Sequence, residues 1–149
     1  MVTWDEFATG AVELAEEVRA CFTVRKHCTM ATLRRDGSPR ISGIEVAFSD
    51  GELWLGMMSG SVKALDLLRD PRVAVHSPTV DPPESDPGGW AGEAKVAGRV
   101  VEVPAEEGAG HRFRVELAEV VLTGIGSPAD HLVIQSWHAD QGVVRTKRY

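Results

Sequence analysis

The sequence predicts a mainly β fold: an antiparallel barrel, closed or half closed, of seven or eight strands with two short helices. Three observations carry this. The spacing of apolar residues changes from three or four to two after about residue 23. Asp-Gly pairs at 36–37 and 50–51 separate alternating segments, which is the chemistry of tight hairpins. Two long alternating segments, Gly92 to Val103 and Arg112 to Thr123, follow later in the chain. A length of 149 residues suits one domain.

The elements follow in order. Thr3-Trp4-Asp5-Glu6 has the form of a capping box, and Phe7, Ala11, Leu14, Val18 and Phe22 then recur on one helical face. A helix is expected over roughly 4–20, with its acidic side in solvent. Cys28 to Leu33, Pro39 to Phe48 and Glu52 to Met57 read as a three-strand meander, turning at Arg35-Asp36-Gly37-Ser38 and Ser49-Asp50-Gly51. Ser59-Gly60-Ser61 opens a short helix with Val62, Leu65 and Leu68 on one face, ended by Asp70-Pro71. Arg72 to Ser77 is a strand, and the proline-rich stretch Pro78 to Gly89 a long loop. The two long strands are joined by an acid- and glycine-containing link at 104–110, too Gly-rich for a stable helix. His131 to Trp137 and Val143 to Arg148 complete the strands.

Charge and composition exclude several classes. Sixteen Lys and Arg against 22 Asp and Glu give a net charge of −6, which speaks against nucleic acid as a partner. The longest apolar run, Leu53 to Met58, is far short of the ~20 residues a spanning helix needs, so no membrane partner is expected. The acidic start of the chain lacks the layout of a signal or transit peptide. Two cysteines, Cys21 and Cys28, do not suggest a disulfide scaffold, so a cytoplasmic setting is expected.

The residues offer few sites of chemistry. A strand, a Gly/Ser turn and a helix with a lysine in its first turn stand together at Met57 to Lys63. Free N–H groups and the helix dipole favour an anion there, with Ser61 adding a hydroxyl and Lys63 a charge. The plainer reading is a Ser N-cap followed by a solvated lysine. The five histidines, His27, His76, His111, His131 and His138, show no metal-ligand spacing, and no metal is expected. Gly124-Ile125-Gly126 runs into Ser-Pro and is a turn, not a dinucleotide fingerprint. Trp54, Trp90 and Trp137 suit either a planar ligand or the core.

Taken in order, the segments ATLRRDGSPRISG (31–43), GELWLGMMSGSVKALDLLRDPRVAV (51–75), AGEAKVAGRVVEV (91–103) and HRFRVELAEVV (111–121) resemble the pyridoxamine 5′-phosphate oxidase-like family of FMN-binding split barrels. The resemblance runs from about residue 23 to the end and implies a single split-barrel domain over 1–149. It further implies a homodimer with FMN in grooves at the interface and a flavin-dependent oxidoreductase acting on a small-molecule substrate. By that likeness Ser61 and Lys63 would hold the phosphate. The backbone of Ile41, Ser42 and Gly43 and of Gly56, Met57 and Met58 would line the isoalloxazine. Glu93 and Thr123 would reach in from the partner chain. The resemblance names no catalytic acid or base.

The chain departs from the family pattern at three positions. Ser42 and Val62 stand where the family usually has basic residues, which removes charge-assisted phosphate contacts. Ala47 stands where a basic residue would reach the vitamin's phosphate, and the family's helical substrate segment is missing, so pyridoxamine phosphate is not the expected substrate. Two alternatives follow from the same resemblance. One is a reductase using the deazaflavin coenzyme F-420, whose acidic tail would meet Arg34, Arg35, Arg40, Arg145, Lys147 and Arg148. The other is a non-enzymatic flavin- or haem-binding dimer.

Overall fold

A computed structural model describes residues 1–149. The first helical segment is two helices, α1 (Trp4–Gly10) and α2 (Val12–Thr23), rather than one continuous helix over 4–20. The break falls at Ala11, whose φ of −146° and ψ of 63° end α1 and begin α2 just after Gly10, the weakest helix former in the segment. With α3 (Val62–Arg69) there are three helices, not two. The capping box forms as expected: the Glu6 N–H donates to Thr3 Oγ1 at 3.1 Å and the Thr3 N–H to Glu6 Oε1 at 3.3 Å.

The eight strands are β1 (His27–Leu33), β2 (Pro39–Ser49), β3 (Glu52–Met57), β4 (Arg72–His76), β5 (Glu93–Val103), β6 (His111–Ile125), β7 (Leu132–His138) and β8 (Gly142–Arg148). They form one antiparallel sheet in the order β3-β2-β1-β4-β5-β6-β7-β8. A second pairing of β3 with β6, from Trp54↔Arg114 to Met57↔His111, closes the first six strands into a barrel. β7 and β8 extend outside it. The long loop after β4 contains only a single 3-10 turn, Pro87–Gly89.

β6 is the longest strand and pairs with β3, β5 and β7, and its inward residues Phe113, Val115 and Leu117 are fully buried. A bulge at Ala97/Gly98 lets β5 follow it, and only glycine fits there. A Cβ on Gly98 would stand 1.9 Å from the Glu116 carbonyl oxygen. The core continues into α1 and α2. Phe7 meets Trp137 edge-on at 4.8 Å and Trp4 meets Phe48 at 4.7 Å, while Leu14, Val18 and Phe22 are buried as their spacing predicts.

One packing expectation fails. In α3 the residues Val62, Leu65 and Leu68 are exposed, and the helix instead buries Ala64, Asp66 and Leu67. Their three-residue spacing does make one face, but that face points away from the barrel.

Because Phe7 is fully buried and packs α1 against the Trp137 ring of β7, Phe7→Ala is expected to cost about 3–5 kcal/mol. Urea unfolding should show this as a lower midpoint at unchanged slope. A loss under ~1 kcal/mol would mean that α1 does not unfold with the barrel.

Candidate functional site

The turn after β3 carries the sequence-predicted anion site. The Ser61 N–H donates to the Met58 carbonyl at 3.1 Å, and Gly60 takes a φ of +71° that tightens the turn. Ser61 stands at the N-cap of α3, yet its hydroxyl makes no capping bond. Its Oγ is buried without any hydrogen-bond partner. A buried hydroxyl left unpaired costs about 1–3 kcal/mol, so this atom lacks an acceptor or donor that something else could supply. Lys63, in the first turn of the helix, donates from Nζ to the Gly43 carbonyl at 2.7 Å. That bond draws the helix start onto β2.

The strand residues split by face. Ile41, Gly43 and Glu45 alternate outward on β2, while Ser42 is half-buried opposite Met30. On β3, Gly56 faces outward and Met57 inward; Met58, just beyond the strand, is 83% exposed. A Cβ built on Gly43 or Gly56 meets nothing within 4 Å, so the outer face carries open space where both glycines stand. The structure thus joins Gly43 to Lys63 directly and sets Gly56, Met57 and Met58 in one cleft of about 630 Å³.

Glu93 and Thr123 are elsewhere. They are register partners on β5 and β6, at the opposite end of that ladder from Val103↔Arg112. From Arg112, which pairs with Gly56, to Thr123 is eleven residues of strand, about 35 Å at ~3.3 Å per residue. Glu93 is instead close to His76, at 3.8 Å, and its charge, after burial and Glu17, helps push the Cys21 thiol up. Burial alone pushes Cys28 up to about 11, so this thiol stays protonated at neutral pH.

Sequence reasoning missed Asp66, the most consequential charge near the site. Its carboxylate is 2% exposed and accepts from Thr32 Oγ1 at 2.8 Å, Arg40 Nε at 2.7 Å and Arg69 Nη2 at 3.1 Å. Burial pushes its carboxyl up, but the three donors outweigh this and hold it below the ordinary 3.8. The only trace in the sequence is an acid between Ala64 and Leu67, on what becomes the buried face. Asp66 gathers Arg40 and Arg69 beside Arg34 and Arg35 in a groove of about 520 Å³. The β8 residues Arg145, Lys147 and Arg148 do not line that groove, so the six basic residues do not form one channel within a chain.

The histidines are each placed against an acid. His111 Nδ1 lies 3.2 Å from Glu102 Oε1, and its Nε2 accepts from the Gly60 N–H at 3.3 Å, bracing the turn. No group of three or more His, Cys, Asp or Glu is arranged to hold a metal ion. No helix is long and apolar enough to cross a membrane.

The family model described as pyridoxamine 5′-phosphate oxidase matches residues 14–133, which include the β3 turn and α3. The chain belongs to the pyridoxamine 5′-phosphate oxidase-like split-barrel family. Comparison with curated protein sequences gives no match. PhzG from Burkholderia lata 383, solved with tetrahydrophenazine-1-carboxylic acid, is similar at a TM-score of 0.66 and 12% identity, over 97% of this chain and 92% of that one. A pyridoxamine 5′-phosphate oxidase-related, FMN-binding protein from Nostoc punctiforme PCC 73102 gives 0.64 at 9% identity, over 95% and 96%. A haem-binding protein from Mycobacterium smegmatis gives 0.54 at 16% identity, over 91% and 87%. One split-barrel fold therefore serves different ligands, and the choice among them rests on each chain's own residues.

Replacing Asp66 tests how far α3 depends on it. Asp66→Asn is expected to destabilise by about 2–3 kcal/mol at pH 7, less than for fully buried partners because both arginines reach water. A carboxyl held below 3.8 contributes stability above that value and loses it as pH falls through the folded pKa. The gap between wild type and variant should therefore close in acid. A gap constant from pH 7 to pH 2 would show that the charge of Asp66 is not what matters.

Proposed function

We propose that this protein binds FMN and acts as a flavin-dependent oxidoreductase on a small molecule other than pyridoxamine phosphate. The observation that carries the reading is the buried, unpartnered Ser61 hydroxyl at the start of α3, two residues before Lys63. A phosphate there would accept from Ser61 and from the free N–H groups of the helix, and Lys63 would supply the charge. The open outer face at Gly43 and Gly56 fits a planar ring laid on the backbone of 41–43 and 56–58.

When bound, FMN supplies the electron and hydride chemistry. The chain's share is to hold the phosphate, lay the ring where Gly43 and Gly56 leave the strand surface open, and leave its outer side accessible. Arg40 takes the place of neither missing basic residue outright, because its Nε is committed to Asp66; its two Nη groups have no partner in the chain. Ala47 removes the basic residue that the family resemblance puts at that position of β2, which supports a different substrate.

The reading requires a homodimer. Glu93 and Thr123 sit about 35 Å of strand away from Gly56, so only a second copy could bring them to the same ring. Apolar residues exposed on α3 and its turn (Met58, Val62, Leu65, Leu68) and on β7 and β8 (Leu132, Val143, Val144) offer surface for that copy.

A second reading, binding of the deazaflavin coenzyme F-420, is favoured by one observation. Arg34, Arg35, Arg40 and Arg69 outnumber Asp36 and Asp66 in the groove against α3, so an acidic extension of the cofactor would find positive charge there.

FMN titration followed by flavin fluorescence decides the main reading. Lys63→Ala should weaken FMN by about 1.5–3 kcal/mol. Ser61→Ala should weaken it too while leaving the ligand-free protein as stable or slightly more so, since it removes an unpaired group. Unchanged titration in both variants rejects the phosphate site. If F-420 is the cofactor, Arg69→Ala should weaken F-420 and spare FMN. Sedimentation tests the dimer: a monomer with FMN bound contradicts a groove made by two chains.

A further inference from the structure

The cleft on the outer face of β2, β3 and β6 contains a cation that no part of the proposed phosphate site uses. Arg112 stands opposite Gly56 in the β3–β6 register, so its side chain projects outward beside a residue with none of its own. Its guanidinium carbon lies 3.6 Å from the centroid of the Trp54 ring. Trp54 is fixed in turn, its Nε1 donating to the Ser49 carbonyl at 3.0 Å. Stacking on an indole orients the guanidinium plane and leaves its edge of N–H donors free.

That edge has no partner in the chain. Two residues on, Arg114 on the same face is paired with Glu116 at 3.2 Å, whereas Arg112 makes neither an ion pair nor a hydrogen bond. The walls around it are largely apolar: Ala47, Met57, Met58, Ala105 and Ala109. Glu45, on the far side of Gly56, lines the same cleft and is 3.5 Å from His27. A cleft of about 630 Å³ is of ligand size, and it holds one unpaired cation at one side and one carboxylate at the other. A second anionic group near Glu45 would be repelled.

We propose that Arg112, held flat by Trp54, selects a substrate with an apolar, planar body and a single terminal oxyanion, a carboxylate or a phosphate ester. The oxyanion takes the free edge of Arg112 through paired N–H donors, and the body lies over Gly56 between Met58 and the 105–109 segment. This deepens the flavin reading, since Gly56 belongs to the strip on which the ring would rest, but the anion contact itself does not depend on FMN. Arg112 is a binding residue that sets specificity, with no part in moving protons or electrons.

The test is calorimetric titration of the full chain, with and without FMN, against 1-naphthoate, 1-naphthamide and 1-naphthyl phosphate. The three share one ring system and differ in charge. Naphthoate or naphthyl phosphate is expected to bind about tenfold tighter than the amide, the worth of a hydrogen bond to a charged group. Whichever is tighter identifies the oxyanion. The preference should vanish in Arg112→Leu, return in part in Arg112→Lys and weaken in Trp54→Leu, while FMN titration is unchanged in Arg112→Leu. Equal binding of acid and amide by wild type, no binding of any probe, or an undiminished preference in Arg112→Leu would each overturn the assignment. Discrimination without FMN binding would overturn the flavin reading and leave this one standing.

Discussion

Four residue pairs between β3 and β6 hold the molecule in its working shape. They join segments more than fifty residues apart and turn an open sheet into a barrel. The same pairs set the neighbours of every group discussed above. Gly56 faces Arg112, Trp54 comes beneath its guanidinium, and Met57 meets His111, whose ring then receives the Gly60 N–H. The link at 104–110 must fold back for this to happen. Gly110, at a φ of +81°, lies so near Met57 that a Cβ would be 2.3 Å from its carbonyl oxygen. Closure of the barrel and construction of the cleft are therefore one event.

The helix that follows β3 is anchored by charge rather than by grease. Ala64 and Leu67 bury little volume, and the exposed Val62, Leu65 and Leu68 contribute nothing to its hold on the barrel. Asp66 makes up the difference by bonding Thr32 on β1, Arg40 on β2 and Arg69 on α3 itself. Arg69 adds a bond to the Leu33 carbonyl at 2.6 Å, and Lys63 one to Gly43. Polar anchoring fixes direction more tightly than apolar packing does, which suits a helix whose first turn would meet a ligand.

Much of the architecture was legible because the signals were local. Asp36-Gly37 and Asp50-Gly51 turn where expected, with positive φ at Gly37, Asp50 and Gly51, and the strand boundaries shift by only one or two residues. The capping box at Thr3 needed only four residues to be recognised. The faulty readings had non-local causes. Val62, Leu65 and Leu68 have the spacing of a buried face, and spacing cannot say whether a face meets the interior or the outside of a barrel. Asp66 looked like any helix acid until Thr32 and Arg40 came beneath it. Arg112 lay in an alternating strand with no hint that Trp54 would be its neighbour. At the Gly/Ser turn the sequence left a solvated lysine and an anion site open; the Lys63 bond to Gly43 removes the freely solvated lysine without supplying the ligand.

The arginine groove has a consequence in time as well as in place. The whole chain carries −6, so an anion approaching from afar meets repulsion before it meets Arg40 or Arg69. At physiological ionic strength that repulsion fades within ~8 Å, while contacts made inside the groove are screened far less. Salt therefore acts in opposite senses on the two halves of the encounter. It eases arrival by hiding the acidic surface, and it slightly loosens the hold once the anion has arrived. An anion bound in this groove would thus be gated by the surrounding field and retained by a few local cations, an arrangement that favours slow capture and short-range discrimination.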